Sequence, residues 1–227
     1  MPCAKFLAKL GLWLSPDGVL GYQDPFRDKG FRRYFVISLQ IVAMKAHQYP
    51  YGLIGNCAYL ALINRDTNVD WLCLPRFDSS FVFGSLIAGQ KGGEFSVRPD
   101  ADDFLAEQRY VHNSNVLQTQ INLGADAYLV TDIAPRFRQY DRYYRPLMLI
   151  RKIEPLRGLP RVRVRCKPVG DYGAQDLRQE RGSSHLRFYG LEENLRLTTN
   201  IPLNYVTDEV PFVLNQTYYM VLTYGAP

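Results

Sequence analysis

The sequence predicts an all-β protein, an antiparallel β-sandwich with one short helix after its first hairpin. Three observations support this prediction. Short apolar or alternating runs recur at spacings of roughly 8–12 residues, as in sandwich folds. Turn-forming residues separate these runs, and stretches with helical periodicity are nearly absent. At 227 residues the chain can bury a substantial core.

The first hairpin lies within the segment Tyr51–Gly89. Two apolar runs, Tyr59–Ile63 and Val69–Leu74, flank the turn-formers Asn64–Asn68. Aspartate and asparagine side chains in such a cluster can satisfy a tight backbone turn. The dipeptide Leu74-Pro75 then ends the second strand, because proline has no N–H to donate to a ladder.

A short helix is expected after this hairpin. Apolar residues at i, i+3 and i+4 begin at Phe83, which is typical of one helical face. Asp78 or Ser79 is expected to cap its N-terminus, and Gly89 suits its C-terminal end.

The rest of the chain predicts further strands and two polar connections. The predicted strands are 94–99, 115–122, 127–133, 147–153, 161–167, 184–189, 194–199 and 217–223. Asp100–Glu107 is predicted to be an acidic connector, and Arg136–Arg145 a loop that mixes basic and aromatic residues. In Arg161–Lys167, valines and a cysteine alternate with four cations, which predicts one buried and one solvated face.

Three segments carry a family resemblance: Gly52–Cys57, Asn64–Asp66 and Val69–Ser79. Together they resemble the opening of bacterial glycoside hydrolase family 15 proteins, which are glucoamylase-like and trehalase-like enzymes. The resemblance covers roughly Tyr51 to Gly225. It implies a β-sandwich of the super-sandwich type, which in that family precedes a helical barrel. The hairpin tip departs from the usual pattern, with Asp66-Thr67 where the family has Asp-Gly.

The resemblance also implies a role without catalysis. Family 15 enzymes hydrolyse α-glucosidic bonds with inversion, using one carboxylic acid and one carboxylate. In the family both are glutamates on the barrel, and no position of this sequence corresponds to them. We therefore expect no catalytic residue and no hydrolysis by this chain alone. The implied role is architectural: a truncated or split gene product whose sandwich packs on the missing (α/α)6 barrel.

Four residues are the candidates for contact with a partner or a substrate: Trp71, Arg76, Phe77 and Asp78. In one interpretation their loop abuts the barrel, and Arg76 and Asp78 reach its rim or bind hydroxyls of trehalose or an α-glucan. In the alternative interpretation, Trp71 lies in the sandwich core, Asp78 caps the helix and Arg76 pairs with Asp78. The sequence leaves both interpretations open.

Two other functional classes compete with the architectural role. Exposed tyrosines within Arg136–Arg145 could stack on sugar rings, so the alternative is a free-standing carbohydrate-binding module. The same segment and the basic strand Arg161–Lys167 are of the kind that binds nucleic acid. A solvated outer face balanced by acidic connectors explains these charges equally well, and we expect no nucleic-acid partner.

Composition and cysteine usage narrow the class further. The chain is 47% apolar and 22% charged with a net charge of +5, which is typical of a globular protein. Its longest apolar run is about half of the roughly 20 residues that span a bilayer, so no membrane partner is expected. Cysteines 3, 57, 73 and 166 have no paired spacing, and the histidines are isolated. Cys57 and Cys73 are expected within strand-like runs, where a free thiol behaves as a small apolar side chain. We expect no metal, no cofactor and a reducing, cytoplasmic environment.

The start of the chain differs from the remainder. Residues 1–43 hold six Lys/Arg and three Asp/Glu, whereas the rest is near neutral. Met44 is followed by a few polar residues and then the first strand, as in a natural start of the family. We expect residues 1–43 to be a spurious or disordered extension and residues 44–227 to be the β-sandwich domain.

Overall fold

The computed structural model describes residues 12–14, 20–22 and 49–225. The chain divides after Gln48 into two units, which are described separately. In the first unit, strands β1 (Leu12–Leu14) and β2 (Leu20–Tyr22) pair antiparallel. The prediction that residues 1–43 are an extension otherwise lies outside the described residues.

The second unit consists of antiparallel strands with two short α-helices and two 3-10 turns, Gly89–Gly92 and Asp171–Gly173. Its strands are β3 (Tyr51–Gly55), β4 (Leu60–Asn64), β5 (Val69–Cys73), β6 (Phe81–Phe83), β7 (Glu94–Pro99), β8 (Leu105–Tyr110), β9 (Val116–Leu123), β10 (Asp126–Ile133), β11 (Phe137–Gln139), β12 (Arg142–Tyr144), β13 (Met148–Arg157), β14 (Arg161–Lys167), β15 (Val169–Gly170), β16 (Gln175–Asp176), β17 (Arg178–Arg181), β18 (His185–Tyr189), β19 (Leu195–Thr199), β20 (Phe212–Val213) and β21 (Tyr218–Tyr224). Its helices are α1 (Ser85–Ala88) and α2 (Leu203–Thr207). The predicted all-β class is confirmed.

An eight-stranded antiparallel sheet forms one layer, in the order β17-β18-β19-β21-β13-β10-β9-β8. Against it lie a four-stranded sheet, β3-β4-β5-β6, and a three-stranded sheet, β20-β14-β7. Their inner faces share one hydrophobic core that includes Ile54, Phe95, Val130 and Leu197. The predicted antiparallel sandwich is therefore present.

Strand β14 shows why the alternating pattern predicts a half-buried strand. Val162, Val164 and Cys166 are buried, and the residues between them are partly or fully exposed. Successive side chains of a strand point to opposite faces, so one face enters the core and the other stays in water. Burial raises the pKa of the Cys166 thiol, which therefore acts as a small apolar side chain.

The predicted hairpin β4–β5 is confirmed. Asn64 and Asn68 close its turn, with the Asn68 N–H donating to Asn64 Oδ1 at 2.9 Å and the Asn64 N–H donating to the Asn68 carbonyl at 3.0 Å. Thr67 occupies the left-handed region with φ 65°. Strand β5 ends at Cys73, directly before the Leu74-Pro75 stop.

A buried arginine joins this hairpin to the opposite layer. Arg151 of β13 donates from Nε to Asp132 Oδ1 at 2.7 Å, and both side chains are 0% exposed. Its other nitrogens donate to the carbonyls of Phe95 and Thr67. Burial raises the pKa of Asp132, and the charge of Arg151 opposes that rise. One side chain thus ties together β10, β13, β7 and the tip of the β4–β5 hairpin.

The predicted helix start is wrong. Phe83 ends strand β6, and α1 covers only four residues from Ser85. Gly84 stands at the N-cap position without a side-chain hydrogen bond, so neither Asp78 nor Ser79 caps the helix. The apolar spacing misleads here because strand and helix meet within it. The C-terminal end at Gly89, with φ 55°, agrees with the prediction.

Three further local predictions are wrong. The second half of the acidic connector Asp100–Glu107 enters strand β8, which pairs with β9 at the edge of the large sheet. The loop Arg136–Arg145 contains the hairpin β11–β12. The residues of strands β8, β11 and β12 are almost all exposed or only partly buried. Their sequences therefore show no alternation of apolar residues from which the strands could be predicted. Cys57 lies in the exposed turn after β3, with φ 70°, and not in a strand.

Candidate functional site

Three of the four candidate residues lie on the loop between β5 and β6. The loop closes on itself, since the Arg76 N–H donates to Ser79 Oγ and the Ser79 N–H donates to the Arg76 carbonyl, both at 3.2 Å. The Arg76 guanidinium donates two hydrogen bonds, of 2.9 and 3.0 Å, to the Asp78 carboxylate. These bonds lower the pKa of Asp78, and the same contact raises the pKa of Arg76. The loop therefore presents a fixed, charged pair to solvent.

The two aromatic candidates differ in exposure. Trp71 is half-buried and contacts Phe81 at a centroid distance of 5.7 Å. It packs on a small cluster of Cys73, Phe81 and Val169, separate from the main core. The alternative that places Trp71 in the sandwich core is therefore wrong in detail. Phe77 is 53% exposed, beside the Arg76–Asp78 pair.

Several other loops leave the sandwich at this same end. Strand β5 ends at Cys73, next to the first residues of its neighbour β4. The turn that connects β3 to β4 lies at the same end of the sheet. Within that turn Asn56 donates from Nδ2 to the carbonyls of Pro135 and Pro146, at 3.0 and 2.8 Å. The N–H of Tyr224, near the end of the described chain, donates to the Leu147 carbonyl at 3.0 Å. We call this end of the sandwich the exit end.

The segment Arg136–Arg145 projects from the exit end and is called here the arginine–tyrosine hairpin. Every residue of its strands β11 and β12 is exposed. Its exposed aromatic residues are Phe137, Tyr140, Tyr143 and Tyr144. Tyr140 at the tip has φ 55° and is 92% exposed. Side chains also connect the two strands. The ring centroids of Phe137 and Tyr144 are 5.1 Å apart, and the guanidinium carbon of Arg136 lies 5.0 Å from the centroid of the Tyr143 ring.

The arginine–tyrosine hairpin is strongly basic. Its charged residues are Arg136, Arg138, Asp141, Arg142 and Arg145. Arg138 pairs with Asp141 at 3.2 Å, and Arg136 donates to Cys57 Sγ at 3.0 Å. The sequence identified the basic and aromatic composition of this segment but not its hairpin shape. The dipeptide Tyr140-Asp141 between two short polar runs is the only signal for that turn.

A family model described as "Trehalase-like, N-terminal" matches residues 42–208, which is well over half of the chain. The chain belongs to this family. The match of the trehalase-like N-terminal domain begins two residues before Met44 and covers the loop at Arg76–Asp78 and the arginine–tyrosine hairpin.

Relatives of the domain include several trehalases. The trehalase of Thermoplasma volcanium is 28% identical over 162 residues, 70% of this chain and 26% of that protein. The trehalase of Mycolicibacterium smegmatis is 30% identical over 135 residues, 54% of this chain and 20% of that protein. Trehalase 1 of Sulfolobus acidocaldarius is 41% identical over 86 residues, 38% of this chain and 15% of that protein. The chain spans about a quarter or less of these relatives. No solved structure matches it significantly.

The trehalase-like N-terminal domain also has an open groove of about 1260 Å3, lined in part by Asp70, Glu94 and Arg165. One wall carries Asp70, whose carboxylate accepts hydrogen bonds from Asn64, Asn68 and Ser85 at 2.6–2.9 Å. The other wall carries ion pairs such as Arg165–Glu94 at 3.2 Å. These polar groups pair with one another and stabilise the junction between the β4–β5 hairpin and helix α1.

The described residues hold three free thiols but neither a metal-binding cluster nor a membrane-spanning helix. Within residues 49–225, no three His, Cys, Asp or Glu side chains gather in a metal-binding arrangement. Cys57, Cys73 and Cys166 carry free thiols, and burial raises the pKa of Cys73. No helix of the described residues is long and apolar enough to cross a bilayer.

Proposed function

We propose that the chain is a non-catalytic β-sandwich domain of a glycoside hydrolase family 15 enzyme and that it packs on a catalytic (α/α)6 barrel of the trehalase or glucoamylase type. One observation carries the proposal. The start of the Arg76–Asp78 loop after β5, the root of the arginine–tyrosine hairpin and Gly225 lie at the exit end. A domain attached after Gly225 would therefore begin next to these exposed loops.

The state of the exposed carboxylates supports a role without catalysis. An inverting glycosidase needs a protonated acid and a free carboxylate about 6.5–9.5 Å apart. At the exit end Asp78 is held by Arg76, and Asp141 is held by Arg138. The lowered pKa of Asp78 makes it a poor proton donor near neutral pH. The family resemblance assigns the acid and the base to glutamates on the barrel.

A second candidate function is carbohydrate binding by the sandwich itself. The exposed tyrosines of the arginine–tyrosine hairpin favour it, because flat rings with neighbouring polar groups can stack on sugars. Under this alternative the domain binds trehalose or an α-glucan without a partner. Isothermal titration of the full chain with maltose, trehalose and soluble starch tests it, and saturable binding would favour the module.

The proposed packing can be tested with a relative from which the matching region has been removed. We expect the full chain alone to hydrolyse no trehalose. We expect the Thermoplasma volcanium trehalase lacking its matching region to gain solubility or trehalose hydrolysis when the full chain is co-expressed. Trehalose hydrolysis by the chain alone would overturn the non-catalytic role. No effect on the shortened trehalase, together with saturable sugar binding, would favour the module.

We also propose that the domain serves cytoplasmic carbohydrate metabolism as part of a hydrolase. Its free thiols support a reducing compartment, since extracellular proteins commonly pair their cysteines. Fractionation of cells that express the native chain tests the location. Recovery of the chain outside the cytoplasm would overturn it.

A further inference from the structure

We propose that the arginine–tyrosine hairpin is a docking arm that binds an acidic surface of the catalytic (α/α)6 barrel proposed above. The inference rests on the proposed function, in which such a domain packs on the exit end. It goes further by assigning the contact to one element and by stating the chemistry of the surface that receives it.

The exposure of the hairpin is the first argument. Its four aromatic side chains are between 47% and 92% exposed. Exposed aromatic surface of this kind marks an interaction site. Tyrosine and arginine are also the residue types that dominate binding energy at protein interfaces. The arm therefore has the composition of a protein–protein interface.

The charge of the hairpin indicates which surface it binds. Four arginines stand against one aspartate. Within residues 49–225, the guanidinium groups of Arg142 and Arg145 make no hydrogen bond or ion pair, whereas that of Arg138 is paired with Asp141. A guanidinium binds carboxylates with two parallel hydrogen bonds, so the free arginines fit Asp and Glu side chains on the partner.

The position of the chain end favours the following domain as the occupant. Met148 pairs with Thr223, and the N–H of Tyr224 donates to the Leu147 carbonyl, three residues from the last residues of β12. A domain that continues from Gly225 therefore starts at the root of the arm. Such a short connection raises its effective concentration there, an advantage that a free polysaccharide or nucleic acid would not have.

The arm is held in one shape before it binds. Asn56 bridges the carbonyls of Pro135 and Pro146 at its root. Along its length, Phe137 packs on Tyr144 and Arg136 lies over Tyr143. Binding elements that are already ordered lose less conformational entropy on association. This structure is consistent with a preformed docking arm rather than with a loop that orders on contact.

A binding experiment with paired variants tests the arm. The probes are the trehalases of Thermoplasma volcanium and Mycolicibacterium smegmatis, each lacking its matching region and immobilised for surface plasmon resonance. The arm variant of the full chain is R142A/Y143A, and R142E is a second variant that reverses one charge. The matched control, R65A/Y219A, removes one exposed arginine and one exposed tyrosine away from the exit end.

We expect the arm variants to bind about tenfold more weakly or worse and the control to stay within about twofold of the unaltered chain. Added salt should weaken the unaltered chain more than R142A/Y143A. Thermal melting checks that all variants are folded. If the unaltered chain binds neither trehalase, both the proposed function and the arm are wrong. If it binds but the arm variants bind equally well, or the control loses as much, only the arm is wrong.

The same variants distinguish the partner class. Soluble starch and single-stranded oligo(dT) are injected over the immobilised full chain and over R142A/Y143A. Binding of either probe that is lost in R142A/Y143A, without binding to the trehalases, would overturn the acidic protein partner. Absence of both, together with arm-dependent binding to a trehalase, would support it.

Discussion

Two hairpins of this domain turn on a non-glycine residue with positive φ, yet their surroundings are opposite. Thr67 at the tip of β4–β5 has φ 65° and is 0% exposed. Tyr140 at the tip of β11–β12 has φ 55° and is 92% exposed. The first tip is held by Arg151 and by strand β7, and the second contacts mainly solvent. A hairpin anchored at its tip belongs to the fold, whereas one anchored at its root is free to bind.

The largest expected effect comes from removing the arginine that holds the first tip. R151M leaves the Asp132 carboxylate buried without its partner and two carbonyls without their donor. Breaking such a buried pair costs about 3–5 kcal/mol of unfolding free energy. Urea unfolding of the variant measures it. The double variant R151M/D132L should recover part of the loss, and a cost below about 1 kcal/mol for R151M would show that the tip is not held as described.

A second prediction concerns the threonine at the buried tip. Thr67 Oγ1 donates to the Val97 carbonyl at 2.8 Å and accepts from the Val97 N–H at 2.9 Å. T67V keeps the shape but removes both bonds in a buried site, so it should lose about 1–3 kcal/mol in unfolding free energy. T67S, which keeps the hydroxyl, is the control and should lose less. Equal losses in both variants would contradict the role of the hydroxyl.

The exposed tip should behave differently under a comparable change. Y140G removes a side chain at positive φ, where glycine is unstrained, and it breaks no buried contact. We expect the unfolding free energy to stay within about 0.5 kcal/mol of the unaltered chain. Thermal and urea unfolding measure it beside T67V. A loss larger than about 1 kcal/mol would show that the second tip is anchored as well, and the comparison would fail.

The smallest expected effect concerns the exposed pair Arg76–Asp78, in contrast to the buried pair Arg151–Asp132. Hydrogen bonds from Arg76 lower the pKa of Asp78 below its ordinary 3.8. An aspartate whose pKa is lower in the folded state than in the unfolded state stabilises the fold at pH values above its unfolded pKa. This stabilisation is lost as the pH falls through the folded pKa. Carbon-13 NMR titration of the Asp78 carboxyl should give a pKa below 3.8, and R76A should raise it toward 3.8. An unchanged pKa in R76A would contradict the pairing in solution.

The sequence predicts those parts of the fold that bury side chains. The alternation in Arg161–Lys167 and the apolar runs around Asn64–Asn68 reflect one face in the core, so the strands appear in the residue pattern. The arginine–tyrosine hairpin is missed because neither of its faces is buried and no alternation is imposed. Helix α1 is misplaced because Phe83 closes a strand one residue before the Gly84 cap.

The candidate site is predicted in part for similar reasons. Arg76 and Asp78 are close in sequence, so their pairing is a local property that the residues themselves indicate. The position of the loop relative to Asn56, Pro146 and Tyr224 depends on contacts between residues far apart in sequence. Such contacts leave no spacing that can be recognised in a single sequence. The location of these loops at one end of the sandwich therefore could not be predicted from the sequence.

The bridge made by Asn56 has a consequence for engineering the domain. Because one amide joins the carbonyls of Pro135 and Pro146, the ten residues between them form a closed excursion whose two ends are fixed to each other. Insertions at an exposed tip of this kind disturb little of the remaining backbone. The excursion can thus be shortened, lengthened or exchanged for another peptide while the sandwich keeps its registers, which makes Tyr140-Asp141 a natural place to install a label or a new recognition loop.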